Sequence, residues 1–237
     1  MVVLVFELRG KMAHFRRPDT SVTHATYPFI SRTALLGMMA SVLGKPSLEG
    51  ENVVGIELLS PPATVVQEMS LLGKGWMGEP KSTFSRPTSV EFVVNPHYRV
   101  YYSGQHAGKL AGMMAAGQSV YHTYLGSAFC PTVPDSPVID EFREIPLATV
   151  DELSCRTVLP SYVVDRLIPE SGARYGRVGG MLHQCVDPDQ RRFRGAVNLV
   201  YEASGKPIRF MPVANTERAQ GLCSIVRLHD GTVAALW

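Results

Sequence analysis

Residues 2–8, VVLVFEL, are a short, mostly apolar and β-branched run ended by Gly10, the pattern of a buried central strand. The next stretch, KMAHFRRPDTSVTHATYPF, has neither helical nor strand period and is rich in Arg, His, Thr and Pro. It reads as a long loop, and long loops in compact domains usually carry function. Ser31 then offers an N-cap, Leu35, Met38, Met39, Val42 and Leu43 recur at helical spacing, and Gly44 followed by Pro46 ends a helix with one apolar face.

Residues 53–59 and 63–72 read as two strands separated by Pro61 and Pro62. After a basic linker, VEFVVNPHYRVYYS resumes strand character around an Asn95-Pro96 turn, which implies a protruding hairpin near 73–91. His106 to Ala116 predicts a short helix despite Gly108 and Gly112. The order strand, helix, strand, strand, helix, strand is the βαββαβ pattern of an α+β, ferredoxin-like domain over 1–150. From 151 to 237, Pro and Gly separate short apolar runs, so a small C-terminal β-rich region is expected. There is no internal repeat and no low-complexity tract.

The 237 residues, 45% hydrophobic and 19% charged, describe a globular chain with one substantial core or two small ones. The net charge of +2 hides two basic islands. Glu7 to Arg32 holds Arg9, Lys11, Arg16, Arg17 and Arg32 against two acids, and Arg166 to Arg194 holds six Arg against three. Between them, Asp135 to Glu152 is acidic apart from Arg143, which suits a solvated face or a basic protein partner and excludes an RNA groove there. Cys130, Cys155, Cys185 and Cys223 form no CxxC pair, so neither a zinc site nor a disulfide framework is indicated and no metal or cofactor is expected. The apolar N-terminal run is too short for a signal h-region and no run approaches a membrane span, so a cytoplasmic chain is expected.

Three motifs carry a resemblance. They are GKMAHFRRPDTSVTHATYPFISRTALLGMMASVLG at 10–44, SRPTSVEFVVNPHYRVYYS at 85–103 and YHTYLGSAF at 121–129. Together they resemble the Cas-five family of type I CRISPR effectors, with the first motif closest to type I-B members. The resemblance covers roughly the first 130 residues; the C-terminal part holds no motif of the family. It implies an RRM-like fold of the repeat-associated RNA-binding (RAMP) class, with a thumb hairpin and a variable C-terminal β region. It also implies a Cascade subunit in antiviral defence that holds the 5′ handle of crRNA, caps a Cas-seven backbone, touches the Cas-eight large subunit and meets target DNA through the complex.

Single-stranded RNA is held by cations on phosphates, π-faces on bases and close-approaching backbone. In the first loop Arg16, Arg17 and Arg32 are assigned to phosphate or base-edge contacts, and His14, Thr20 and Thr23 to hydrogen bonds. Phe15 and Tyr27 are either stacking faces or core anchors. Arg32 opens the helix, where free N–H groups attract a phosphate. In the expected thumb, Lys74, Lys81 and Arg86 flank Trp76 and Phe84, a cationic wedge unless the aromatics pack back onto the domain. Arg174 and Arg177 sit among glycines that can admit a phosphate, without the spacing of an NTP loop.

The alternative function is a metal-independent endoribonuclease that processes precursor crRNA, as the resemblance to type I-C members implies. Such chemistry needs a base and a cation or acid, and the candidates are Tyr27, His106 and His122. The family's Lys before the His is Gln105 here, and a lone His at a turn, as His122 is, is more often a hydrogen-bonded structural residue. GxSxG and HExxH motifs are absent.

Overall fold

The structure is a computed structural model that describes residues 1–20, 23–73, 84–187, 190, 192–213 and 223–237. In chain order its elements are β1 (Val2–Arg9), β2 (Met12–Ala13), α1 (Arg32–Leu43), β3 (Asn52–Leu58), β4 (Thr64–Gly73), β5 (Phe84–Val94), β6 (His97–Gly104), α2 (Ala107–Ala115) and β7 (Asp135–Glu144). The shorter second half holds β8 (Leu153–Cys155), β9 (Leu159–Pro160), β10 (Val164–Leu167), β11 (Tyr175–Asp187), β12 (Arg192–Glu202), β13 (Ile208–Pro212), β14 (Ser224–Leu228) and β15 (Val233–Leu236).

The local signals act as their chemistry dictates. The Ser31 hydroxyl accepts the Ala34 N–H at the start of α1, and Gly44 closes it at φ +70°. Asn95 takes the tight turn between β5 and β6 at φ +46°, a conformation Asn tolerates better than most side chains.

A six-stranded antiparallel sheet runs β15-β14-β7-β1-β6-β3. Within it, α1 follows β1 and α2 follows β6, and the strands they connect lie in the order β7-β1-β6-β3. The two ends of the sheet meet. Trp237, just after β15, exchanges both backbone hydrogen bonds with Val54 of β3, at 3.1 and 3.0 Å. This contact closes the sheet around Val3, Tyr101, Phe142, Val226, Leu228, Ala234 and Leu236. Gly55 sits at the seam, where a Cβ would lie 2.7 Å from the Ala235 carbonyl oxygen.

The other face of the same strands is equally apolar. Leu4, Phe6 and Leu8 alternate with the inward Val3 and pack with Leu35, Met39 and Val42 of α1 and Leu110 of α2. That core continues through Leu159, Met181, Leu199 and Phe210, so strands on both sides of residue 150 share one interior. From the region beyond residue 150, β14 and β15 join the first sheet.

Two long ribbons pair outside the six-stranded sheet. β4 and β5 pair continuously from Thr64↔Val93 to Gly73↔Phe84, with β2 on the far edge of β5. β11 and β12 form the second, bent by a register shift between Val178 and Met181.

Candidate nucleic-acid interface

The loop after β1 is ordered by its own backbone. Tyr27 N–H donates to the Phe15 carbonyl and Arg17 N–H to that of Ala25, so the segment doubles back on itself. Its returning limb lies along β5: His24 N–H donates to Ser89 O and Glu91 N–H to His24 O, both at 2.9 Å. The Glu91 carboxylate accepts the Thr26 N–H at 3.0 Å, and the Thr26 hydroxyl accepts the Phe15 N–H at 2.9 Å. On the outgoing limb, His14 Nδ1 lies 2.7 Å from the Glu91 carbonyl, which fixes Nδ1 as the protonated nitrogen. Glu91 thus fastens both limbs of the loop to the β4–β5 ribbon.

This arrangement gathers basic side chains. His14 and His24 lie with ring centroids 6.3 Å apart. Burial lowers the pKa of both, and the field of Arg16 adds to this at each, with Arg86 of β5 contributing at His24. Arg16 and Arg86 are exposed, and one Arg16 nitrogen donates to the Thr20 carbonyl at 3.3 Å. Arg17 is engaged by Asp19, with Nε 3.1 Å from the carboxylate. The Thr20 hydroxyl donates back to Arg17 O at 3.0 Å, and Thr23 is exposed.

The same loop joins the two basic islands. The Tyr27 hydroxyl donates to the Gly180 carbonyl at 3.4 Å, Phe29 meets Tyr201 edge-on at 5.4 Å, and Arg32 donates to the His183 carbonyl at 2.6 Å. Arg177, exposed on β11, is three residues from the Gly180 contact, and Arg174 is exposed with one nitrogen on the Ala203 carbonyl.

Several expected contacts take other roles. Arg32 is only 7% exposed, and its guanidinium also donates to the carbonyls of Trp237 (3.0 Å) and Asn52. With its fork spent on three carbonyls, it is a clamp on the sheet seam and not a surface cation for phosphate. Burial draws its pKa down to about 10. Phe15 and Tyr27 are core residues rather than stacking faces, and burial raises the Tyr27 pKa. Gly176 is explained by packing, since a Cβ there would lie 2.2 Å from the Tyr201 ring. Phe84 is exposed at the far end of β5, whereas Lys74, Trp76 and Lys81 lie outside the described residues.

The nuclease candidates are not brought together. Among the described residues no hydrogen bond joins Tyr27, His106 and His122. His106 precedes α2 and contacts Gln105 at 3.4 Å, while His122 is exposed beside Tyr121. Among these residues no group of three His, Cys, Asp or Glu side chains converges as a metal site.

Sequence reading missed His24 and Glu91. Both lie inside the quoted motifs, but only the pairing of the loop with β5 reveals that they meet.

A family model described as CRISPR-associated protein (Cas_Cas5) matches residues 3–197. The chain belongs to this Cas-five family. Among solved structures, the Cas-five chain is similar to one in a "CRISPR RNA-guided surveillance complex", with TM-score 0.56, 18% identity, and coverage of 89% of this chain and 91% of that one. It is also similar to a CRISPR protein from Archaeoglobus fulgidus, with TM-score 0.58, 11% identity, and coverage of 99% and 98%. At these identities the likeness is one of fold. No curated protein matches the sequence significantly. No helix among the described residues is long and apolar enough to cross a membrane.

Proposed function

We propose that this Cas-five chain is an RNA-binding subunit of a type I CRISPR effector complex, holding the 5′ handle of crRNA at the junction of the 10–32 loop and the β4–β5 ribbon. The observation that carries this reading is the convergence of the exposed Arg16 and Arg86 with His24 beside the buried His14, two guanidiniums and two imidazoles drawn from separate motifs to one junction. Two exposed guanidiniums beside two imidazoles favour a polyanion, since Glu91, the acid at this junction, is engaged by the Thr26 N–H. The exposed Arg177 continues the surface across the Tyr27–Gly180 contact.

Further assignments belong to the same proposal. The order β7-β1-β6-β3 with its two connecting helices supports a ferredoxin-like RAMP domain. The β4–β5 ribbon is its thumb, and the exposed Val66, Leu72 and Phe84 suit contact with a neighbouring Cas-seven subunit. Type I-B membership, a Cas-eight neighbour and access to target DNA through the assembled complex complete the reading.

Incubation of the full chain with end-labelled repeat RNA in EDTA tests it. The expected result is no cleavage, with nuclease protection of the 5′ handle once Cas-seven is added. Specific cleavage of the repeat would overturn it in favour of a processing nuclease.

A further inference from the structure

The aromatics expected to stack on RNA bases, Phe15 and Tyr27, are buried, while a different aromatic group stands in solvent. Tyr121 is 61% exposed, Tyr124 43% and Phe129 67%, all within one turn of chain between α2 and β7. Exposed aromatics so closely spaced mark a binding surface more often than chance packing.

The turn that carries them is rigid. Val120 and Tyr121 donate their N–H groups to the Val42 and Ser41 carbonyls at the end of α1, both at 3.1 Å. Thr123 and Thr132 bond reciprocally, with Thr132 N–H on Thr123 O and the Thr123 hydroxyl on Thr132 O. Leu125 N–H donates to Cys130 O at 2.7 Å.

Between α1 and this turn lies a cleft of about 210 Å³ lined by Ala34, Gly37, Ser41, His122, Tyr124 and Gly126. It is smaller than the roughly 300 Å³ at which pockets for drug-sized ligands begin. One planar ring fits its scale. No acid lines it, and Gly37 leaves its helical wall open, because a Cβ there would meet nothing within 4 Å. The Ser41 hydroxyl spends its proton on Gly37 O and so presents only lone pairs to a ligand N–H.

The turn that lines the cleft is fastened to the cationic loop. Leu125 O accepts the His14 N–H at 3.1 Å, two residues from Arg16, and Gly126 lies against the His14 carbonyl.

We propose that the cleft between α1 and the 121–126 turn receives one unpaired nucleobase of the bound RNA, with Tyr124 as its stacking face and His122 at its edge. The inference rests on the RNA-binding reading above. It adds a sequence-tolerant contact, because every base has a π-face, and it assigns the stacking that Phe15 and Tyr27 cannot supply.

The test is fluorescence anisotropy of the full chain with single-stranded repeat RNA, across a salt series. Tyr124→Ala should weaken binding roughly 5- to 100-fold, the range of one base–aromatic stack, and Tyr124→Phe should restore it. Gly37→Leu fills the cleft while improving helix propensity, so it should weaken binding without loss of folding. The salt slope should stay at the wild-type value in all three, since stacking releases no counterions. Wild-type affinity for Tyr124→Ala and Gly37→Leu, beside weakened binding by Arg16→Ala, would overturn the base site and leave the RNA reading standing. Unchanged binding by Arg16→Ala as well would overturn both.

Discussion

A Cβ on residue 126 would lie 2.2 Å from the carbonyl oxygen of His14, and Gly126 also holds φ at +79°. The third sequence motif is thereby pressed against the first, with the glycine as the only residue that the contact and the backbone both admit.

Gly126→Ala should therefore destabilise the fold by on the order of 2–4 kcal/mol, combining left-handed strain with a backbone clash. Urea unfolding measures it. Because the clash bears on His14, RNA affinity should fall in the same variant even at temperatures where it stays folded.

Arg32 makes a different prediction from its neighbour Arg16. Arg32→Lys keeps the charge but cannot reach three divergent carbonyls, so it should cost on the order of 3 kcal/mol of stability. Affinity of the folded variant for RNA should remain within about twofold of wild type, a comparison that separates the clamp from the interface.

Glu91→Ala frees the Thr26 N–H from its carboxylate acceptor. The expected outcome is loss of hydrogen-exchange protection at Thr26 and Tyr27, with weaker RNA binding, while the β4–β5 ladder stays protected.

The two histidines set a pH dependence of known sign. Both have folded-state pKa values below the ordinary 6.5, chiefly from burial, so the unfolded chain binds more protons. Their contribution to stability is complete above about pH 6.5 and is lost as the pH falls from there towards the lowered folded values. RNA acts in the opposite direction, because phosphate favours the imidazolium, so affinity should rise between pH 7.5 and 6. Thermal melts and binding isotherms over that range should show opposite trends, and His24→Ala should flatten both.

The sequence disclosed the elements and the family more readily than the interface. Apolar, period-two and helical runs marked β1, the β4–β5 ribbon and α1 because each buries a face whose spacing the chain must display. Closure of the sheet by Trp237 on Val54 was not legible, since it depends on backbone hydrogen bonds between two residues far apart in the chain. At the site, composition located the cations but could not tell Arg16, on the surface, from Arg32, whose guanidinium is consumed by carbonyls. Aromatics misled for the same reason: Phe15 and Tyr124 are chemically alike, and only tertiary packing decides which faces water.

The central claim is that the junction of loop and ribbon grips RNA phosphates, and the salt dependence of RNA affinity tests it most directly. For single strands each cation removed should lower the slope of log K against log salt by about 0.7. Arg16→Ala combined with Arg86→Ala should therefore weaken binding and flatten the slope by roughly 1.4. An unchanged affinity and slope in that double variant would contradict the account.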